Sequence, residues 1–208
     1  MKIAIIGAGN VGSTLGLGWA RRGHQVVFGV RDTSDPRAQS LLKGKGDIKV
    51  AVNLEAAQAS EVIVVCTPWN AVREAIESCG DLQGKILIDC TNPLKPDLSG
   101  LMLGFDTSAA EQVAKWAKDA QVFKAMNQIG SNRMDNPSFK QGTPVMFVCG
   151  DGDKKASVLS LVKELGFDAV DAGELPIARL LEPFAMLWIH LAYGQGLGNE
   201  IGFALLRE

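Results

Sequence analysis

The chain has 208 residues, 47% of them hydrophobic and 21% charged, the proportions of a globular protein that folds around its own core. A formal net charge of −2 leaves no basic excess, which argues against an electrostatic footprint for nucleic acid. Cys66, Cys79, Cys90 and Cys149 are scattered, with no C-x-x-C and no neighbouring His, so they are expected to be reduced small side chains of a cytoplasmic protein and not metal ligands. A redox-active pair among them is the lesser alternative.

Lys2 to Ile6 is a short apolar, partly β-branched run that predicts a strand buried on both faces. Because the chain opens on a strand, no signal or transit peptide is expected. The strand runs into Gly7-Ala8-Gly9-Asn10-Val11-Gly12, a full G-x-G-x-x-G, and then into an amphipathic helix from Val11 to Arg22 stopped by Gly23. In this setting the three glycines have separate roles. Gly7 allows the tight turn, Gly9 leaves room for a pyrophosphate, and Gly12 lets the helix lie close on the sheet. The helix start, at Asn10 and Val11, offers free N–H groups to the anion. A strand before and a helix after make this a dinucleotide-binding turn.

Gln25 to Gly29 is the second strand, ending at Val30-Arg31-Asp32. A site that prefers NAD carries a carboxylate at this tip to accept from the ribose 2′-OH. Here Val30 and the Arg31 guanidinium stand there instead, which suits the 2′-phosphate of NADP; a solvated loop charge is the plain alternative. Asp32 is one step late for the ribose, which it reaches only in a shifted register. Asp35-Pro36 opens a helix to about Lys43, and Gly44-Lys45-Gly46 reads as a surface turn. Lys49 to Val52 is a strand, and Asn53 is expected to cap a brief helix through Ala59. Glu61 to Cys66 is the fourth strand, followed by Thr67-Pro68-Trp69, with Thr67 as a helix cap and Pro68 in the first turn. That turn belongs in the crevice of an open parallel sheet, where Trp69 either walls a nicotinamide or packs the helix start.

Lys85 to Asp89 is the fifth strand, ending in Cys90-Thr91-Asn92-Pro93. The long loop from Pro93 to Phe105 reads as a lid or substrate loop. Ser108-Ala109-Ala110-Glu111 is a capping box opening a helix to about Lys118. Gln121 to Ala125 is a strand that delivers Met126 to Asn132, a loop whose amides suit a polar planar ligand, although Asn132 and Asn136 equally suit turns closed on themselves. Pro144 to Cys149 is a strand, Lys154 to Leu165 a helix closed by Gly166, and Phe167 to Val170 a final strand. Ile177 to Leu181 is helical and is expected to stop at Pro183. From Phe184 to Leu206 a bent apolar helical segment is expected, buried in the core or in a dimer interface, with Gly198 and Gly202 admitting a second backbone. His190 lies in it as a core residue or, less readily, as a substrate contact, and His24 is a turn residue without evident purpose.

With these residues in hand, the chain resembles the NADPH-dependent oxidoreductases of the deazaflavin (coenzyme F420) type, small Rossmann proteins related to the cytosolic domains of membrane ferric reductases. The resemblance runs through Gly7 to Gly12, Gly29-Val30-Arg31, Thr67-Pro68-Trp69, Asp89 to Pro93, Lys124 to Gly130, Val148 to Asp151, Asp171 to Gly173 and Ala178 to Glu182. It implies NADPH in the crevice with its 2′-phosphate near Arg31, and an acceptor beside Asn127-Gln128-Ile129. Val30 stands where such proteins often place Ser or Thr, so one phosphate hydrogen bond is expected to be missing.

The expectation is thus one doubly wound α/β Rossmann domain over residues 1–208, with a mainly parallel sheet to about residue 170 and C-terminal helices from about 174. The expected cofactor-binding set is Gly7, Gly9, Asn10, Val11, Gly12, Val30, Arg31, Thr67, Pro68, Trp69, Asn92, Pro93 and Asn127. No catalytic side chain and no metal are expected, because hydride transfer asks the protein mainly for orientation and exclusion of water. NADP is the cofactor, with coenzyme F420 or a flavin as the flat acceptor, and the protein is expected to be a cytoplasmic homodimer without nucleic-acid or membrane partners. An imine or small carbonyl reductase and a non-catalytic NADP-binding sensor or subunit are the competing readings.

Overall fold

The computed structural model describes all 208 residues. Eight strands form one sheet: β1 (Lys2–Ile6), β2 (Gln25–Val30), β3 (Asp47–Val52), β4 (Val62–Val65), β5 (Ile86–Asp89), β6 (Gln121–Lys124), β7 (Val145–Gly150) and β8 (Asp168–Gly173). Their order in space is β3-β2-β1-β4-β5-β6-β7-β8. Every pair is parallel except β6 with β7. The helices are α1 (Asn10–Ala20), α2 (Pro36–Leu41), α3 (Asn53–Gln58), α4 (Val72–Glu77), α5 (Ala109–Trp116), α6 (Lys155–Glu164) and α7 (Ala178–Ile189).

The apolar runs of β1, β4 and β5 are buried because side chains alternate between two cores, one on each face of the sheet. Ile3 and Ile5 of β1 pack with Leu15 and Trp19 of α1 and with Leu161 of α6. Ala4 and Ile6 pack the other way, with Ala56 of α3, Val72 and Ile76 of α4, and Val113 of α5. The Trp19 indole N–H donates to the Leu161 carbonyl at 3.0 Å, tying α1 to α6 across 142 residues. Strand order reverses between β1 and β4, since β2 and β3 build one side and β4 onward the other. At such a switch point the two outgoing loops part and open a crevice.

Several expectations give way to the structure. Asn53 does not cap α3; it is the first helical residue and its amide donates to Ser78 Oγ at 2.8 Å. Thr67 caps nothing, because Pro68 precedes a single 3-10 turn, Trp69–Ala71, before α4 begins. Ser108 does cap α5, accepting from the Glu111 N–H.

Pro183 does not end α7 but lies inside it. It sits on the solvent face, where the N–H it lacks is missed only by the Arg179 carbonyl one turn earlier. The helical path from Leu175 to Gly194 is long and apolar enough to cross a membrane, with mean hydropathy 1.3, yet Ala178, Leu181, Ala185 and Trp188 are packed into the protein. The expected helix to Leu206 is absent. After one wide turn, His190–Gly194, residues 195–208 carry no regular structure. Gly198 has φ +75 and so lies off any helix, which removes the idea of a glycine face shared with Gly202. The tail instead straps back onto the domain: the Val145 N–H donates to the Phe203 carbonyl, and Trp188 Nε1 to the Ile201 carbonyl, both at 2.9 Å.

Candidate functional site

A cleft of about 660 Å³ opens at the carboxyl ends of β1, β2, β3 and β4. One end is the glycine turn. Gly7 has φ +106, a backbone state that L side chains rarely adopt. At Gly12 an added Cβ would overlap the Gly7 carbonyl oxygen, so only glycine lets α1 start this close to β1. At Gly9 an added Cβ meets nothing within 4 Å, and Gly9 lines the cleft. The open cradle therefore lies over Gly9, at the N-terminus of an 11-residue helix with no acidic side chain in its first turn. The N–H groups and partial positive charge there suit a pyrophosphate. The turn fits a dinucleotide at all three glycines.

The other end is basic. Val30 and Arg31 at the tip of β2 line the cleft, as does Arg37 from the first turn of α2. Of the eight arginines in the chain, six commit their guanidinium to other parts of the protein: Arg21 to Asp135, Arg22 to Gly18 O and Glu164 O, Arg73 to Glu77, Arg133 to Glu200, Arg179 to Glu111 and Arg207 to Asp168. Arg31 and Arg37 alone are left without a partner, and both face this cleft. Arg37 is a residue that sequence reasoning missed. Its signal is present, however: Asp35 caps and Pro36 opens α2 just beyond β2, which returns the next side chain to the strand tip. Asp32 lines the cleft too, but its carboxylate accepts from the N–H and the hydroxyl of Ser34 at 2.8 and 2.6 Å. Those two bonds hold it below the usual carboxylate range. Asp32 closes its own turn.

Thr67 and Pro68 form the wall contributed by β4, and Thr67 Oγ1 is buried without a hydrogen-bond partner. Asn10, Val11 and Gly12 make the first turn of α1 directly behind the cradle. Trp69 lies outside the cleft lining. Its ring packs on Trp116 of α5, with centroids 5.5 Å apart. Asn92, Pro93 and Asn127 gather farther along the strand ends, beyond β5 and β6. There Asn92 Nδ2 donates to the Asn127 carbonyl, and Asn127 Nδ2 donates to Asn92 Oδ1, both at 3.0 Å. Gln128 donates to Asn127 Oδ1 and to the Phe147 carbonyl, and accepts from the Phe147 N–H. The amides expected to meet a ligand are thus largely satisfied by one another. Asn132 does not close its own turn either; it donates to Glu200 in the tail.

Beneath this amide cluster lies a feature no sequence reading anticipated. Lys124, at the end of β6, is 0% exposed, with Nζ 2.9 Å from Asp89 Oδ2 and 2.9 Å from Glu182 Oε1. It also donates to the Thr91 carbonyl. Asp89 accepts in turn from the N–H and hydroxyl of Thr91, which sets the turn carrying Asn92. Glu182 accepts from the Ala109 and Ala110 N–H groups at the start of α5. Burial acts against the Lys124 charge, but the two carboxylates outweigh it and raise its pKa.

No His or Tyr lines the cleft. His24 bonds Glu164 at 2.6 Å and the N-terminal amine at 3.1 Å, a structural role, and His190 is exposed beside Gln195. No cluster of three or more His, Cys, Asp or Glu is placed to hold a metal.

Comparison with known proteins adds four findings. The family described as NADP oxidoreductase, coenzyme F420-dependent, matches residues 2–93. The chain is 33% identical to the F420-dependent NADP reductase of Methanothermobacter marburgensis, over 92% of both proteins. A solved protein of Arthrobacter sp. FB24 described as an F420-dependent NADP-reductase superposes with a TM-score of 0.89 at 30% identity, over the whole of both chains. More distantly, the rat metalloreductase STEAP3 is 28% identical over 87% of this chain and 36% of its own length.

Proposed function

The chain belongs to the F420-dependent NADP reductase family, and from that premise we propose that it binds NADPH in the cleft and passes hydride between the nicotinamide and a deazaflavin. The observation that carries the cofactor is the pair of unpartnered guanidiniums, Arg31 and Arg37, at one end of a cleft whose other end is the open Gly9 cradle. The nicotinamide supplies the hydride chemistry when bound. The chain's own part is to hold the pyrophosphate over Gly7 to Gly12, to grip the 2′-phosphate with two cations, and to wall the crevice with Thr67 and Pro68. No side chain is asked to move a proton. An imine or carbonyl reductase would need a donor beside the reacting atom, and no His or Tyr lines the cleft to serve. Mixing purified protein with NADPH and oxidised coenzyme F420, and following the deazaflavin absorbance, tests the acceptor. Turnover with FMN or FAD but not the deazaflavin overturns it; NADPH binding without turnover of any of them favours the sensor reading.

The glycine roles separate cleanly in two variants. Gly9→Val should fold normally, since its side chain points into open space, and should lose NADPH binding by calorimetry. Gly12→Ala should do the reverse. Its Cβ overlaps the Gly7 carbonyl oxygen, so the loss should appear first in the thermal midpoint, by overpacking of about 1–3 kcal/mol.

A cytoplasmic homodimer completes the reading. Its interface would not be the glycines near the C-terminus but the outer face of α7, where Leu180 and Leu187 are exposed one heptad apart, with Tyr193 and Leu197 beyond. Sedimentation of the unmodified protein as a monomer at high micromolar concentration would remove this interface.

A further inference from the structure

We propose that Cys66 and Cys90 are a dithiol that peroxide converts to a disulfide, and that a nucleotide in the cleft shields them. The argument starts from strand register. β4 and β5 are parallel with Val65 opposite Asp89, and the ladder continues one step, because the Cys90 N–H donates to the Val65 carbonyl at 3.2 Å. The next pair in register is Cys66 and Cys90. Neighbouring strands lie about 4.8 Å apart, inside the roughly 4.4–6.8 Å that separates the Cα atoms of disulfides. Both side chains point to the same face of the sheet: Cys90 sits in the core with Ile5, Val64 and Ile88, and Cys66 packs against that core. All four cysteines are free.

The two thiols differ in access. Cys66 is half-buried and lines the cleft, whereas Cys90 is 7% exposed. Burial, followed by contact with Cys66, pushes the Cys90 thiol well above its usual range. Cys66 is therefore the sulfur that a peroxide reaches first and Cys90 the one that resolves it. Cys79 and Cys149 are internal controls, buried in the core on the opposite face and pushed up to about 12 by burial.

The chemistry balances with one hydrogen peroxide. The Cys66 thiolate attacks a peroxide oxygen, the O–O bond breaks, and the sulfur keeps a hydroxyl as sulfenic acid while the departing hydroxide takes a proton and leaves as water. The Cys90 sulfur then attacks the Cys66 sulfur. The S–S bond forms, the S–OH bond breaks, and a second water leaves with the Cys90 proton. Two thiols lose two electrons and two protons; one peroxide becomes two waters. Because Cys66 leads directly into Thr67 and Pro68, a bond at Cys66 constrains the cleft wall, so disulfide and nucleotide should oppose each other reciprocally. This last step rests on the NADPH reading above.

The test begins with reduced protein, treated with hydrogen peroxide and denatured for thiol counting and peptide mass spectrometry. Titratable thiols should fall from four to two, with a Cys66–Cys90 crosslink. NADPH affinity should drop at least tenfold and return with dithiothreitol, and saturating NADP+ should slow the crosslink at least tenfold. Cys90→Ser should instead leave Cys66 as a trappable sulfenic acid. Four surviving thiols, or oxidation of Cys79 or Cys149 at the same rate, would overturn the pair. Calorimetry of the reduced protein separates the two readings. Tight NADPH binding without the crosslink sinks only the dithiol; a crosslink formed equally fast with and without NADP+, in protein that binds no nucleotide, sinks the shielding and the cofactor assignment together.

Discussion

Lys124→Met should cost about 3–5 kcal/mol of folding stability, because it leaves buried carboxylates without their cation. A domain of this kind has a total stability of only about 5–15 kcal/mol. The ammonium is the shared partner of Asp89 and Glu182, each 2.9 Å away and all three out of solvent. Met keeps an unbranched side chain, one atom shorter, but removes the charge, so two carboxylates remain buried together. One orders the turn after β5 through Thr91, and the other holds the start of α5 through Ala109 and Ala110. The loss should appear as a lower urea midpoint with an unchanged slope. The triple variant Asp89→Asn, Lys124→Met, Glu182→Gln should recover much of it, because the uncompensated charge is what costs most. The pH dependence has a definite sign. A lysine whose pKa is raised on folding contributes fully below its unfolded value, near ~10.4, and loses that contribution as pH climbs through the folded one. The unmodified protein should thus lose this part of its stability only in alkali above about pH 10, whereas Lys124→Met should lack it throughout. An unchanged urea midpoint in the variant would mean that the cluster carries no net stability.

That triad shows where reading the sequence runs out. The glycine turn was legible because its physics is local: a strand, three glycines and a helix within the first twenty residues prescribe one another. The two-sided burial of β1 was legible for the same reason, in its short apolar, partly β-branched run. Lys124 was not. A lysine ending a short apolar strand reads as a solvated tip, and nothing nearby reveals partners 35 and 58 residues away on β5 and α7. The amides of Asn92, Asn127 and Gln128 show another limit, since a polar loop at a crevice reads as ligand contact while the bonds its members make to each other are not visible in the sequence. Pro183 misled through a sound local rule, because a proline on the solvent face of a helix held by core packing is tolerated. Arg31 is legible because it stands at the end of β2, whereas Arg37 comes to the same place only through the first turn of the helix that follows.

The second large effect is expected there. Replacing Arg31 with Ala should weaken NADPH binding roughly ten- to a hundredfold, since a hydrogen bond to a charged group is worth about 1.5–3 kcal/mol and each 1.4 kcal/mol is tenfold. Replacing Arg31 and Arg37 together should cost roughly 10²- to 10⁴-fold if both grip the 2′-phosphate. Neither guanidinium bonds any other part of the protein, so the fold has nothing to lose, and the thermal midpoint of the double variant without nucleotide should be unchanged. NADH carries no 2′-phosphate for these cations to meet, and its dissociation constant should barely move. Salt supplies an independent reading. Raising ionic strength should weaken NADPH binding to the unmodified protein steeply, through screening of an exposed cation–phosphate pair, and should have much less effect on the double variant. Equal losses for NADPH and NADH would move the arginines to a general pyrophosphate contact. Tighter binding of NADH than of NADPH by the unmodified protein would overturn the assignment outright, and would require Asp32 to leave its bonds with Ser34 and turn to the ribose.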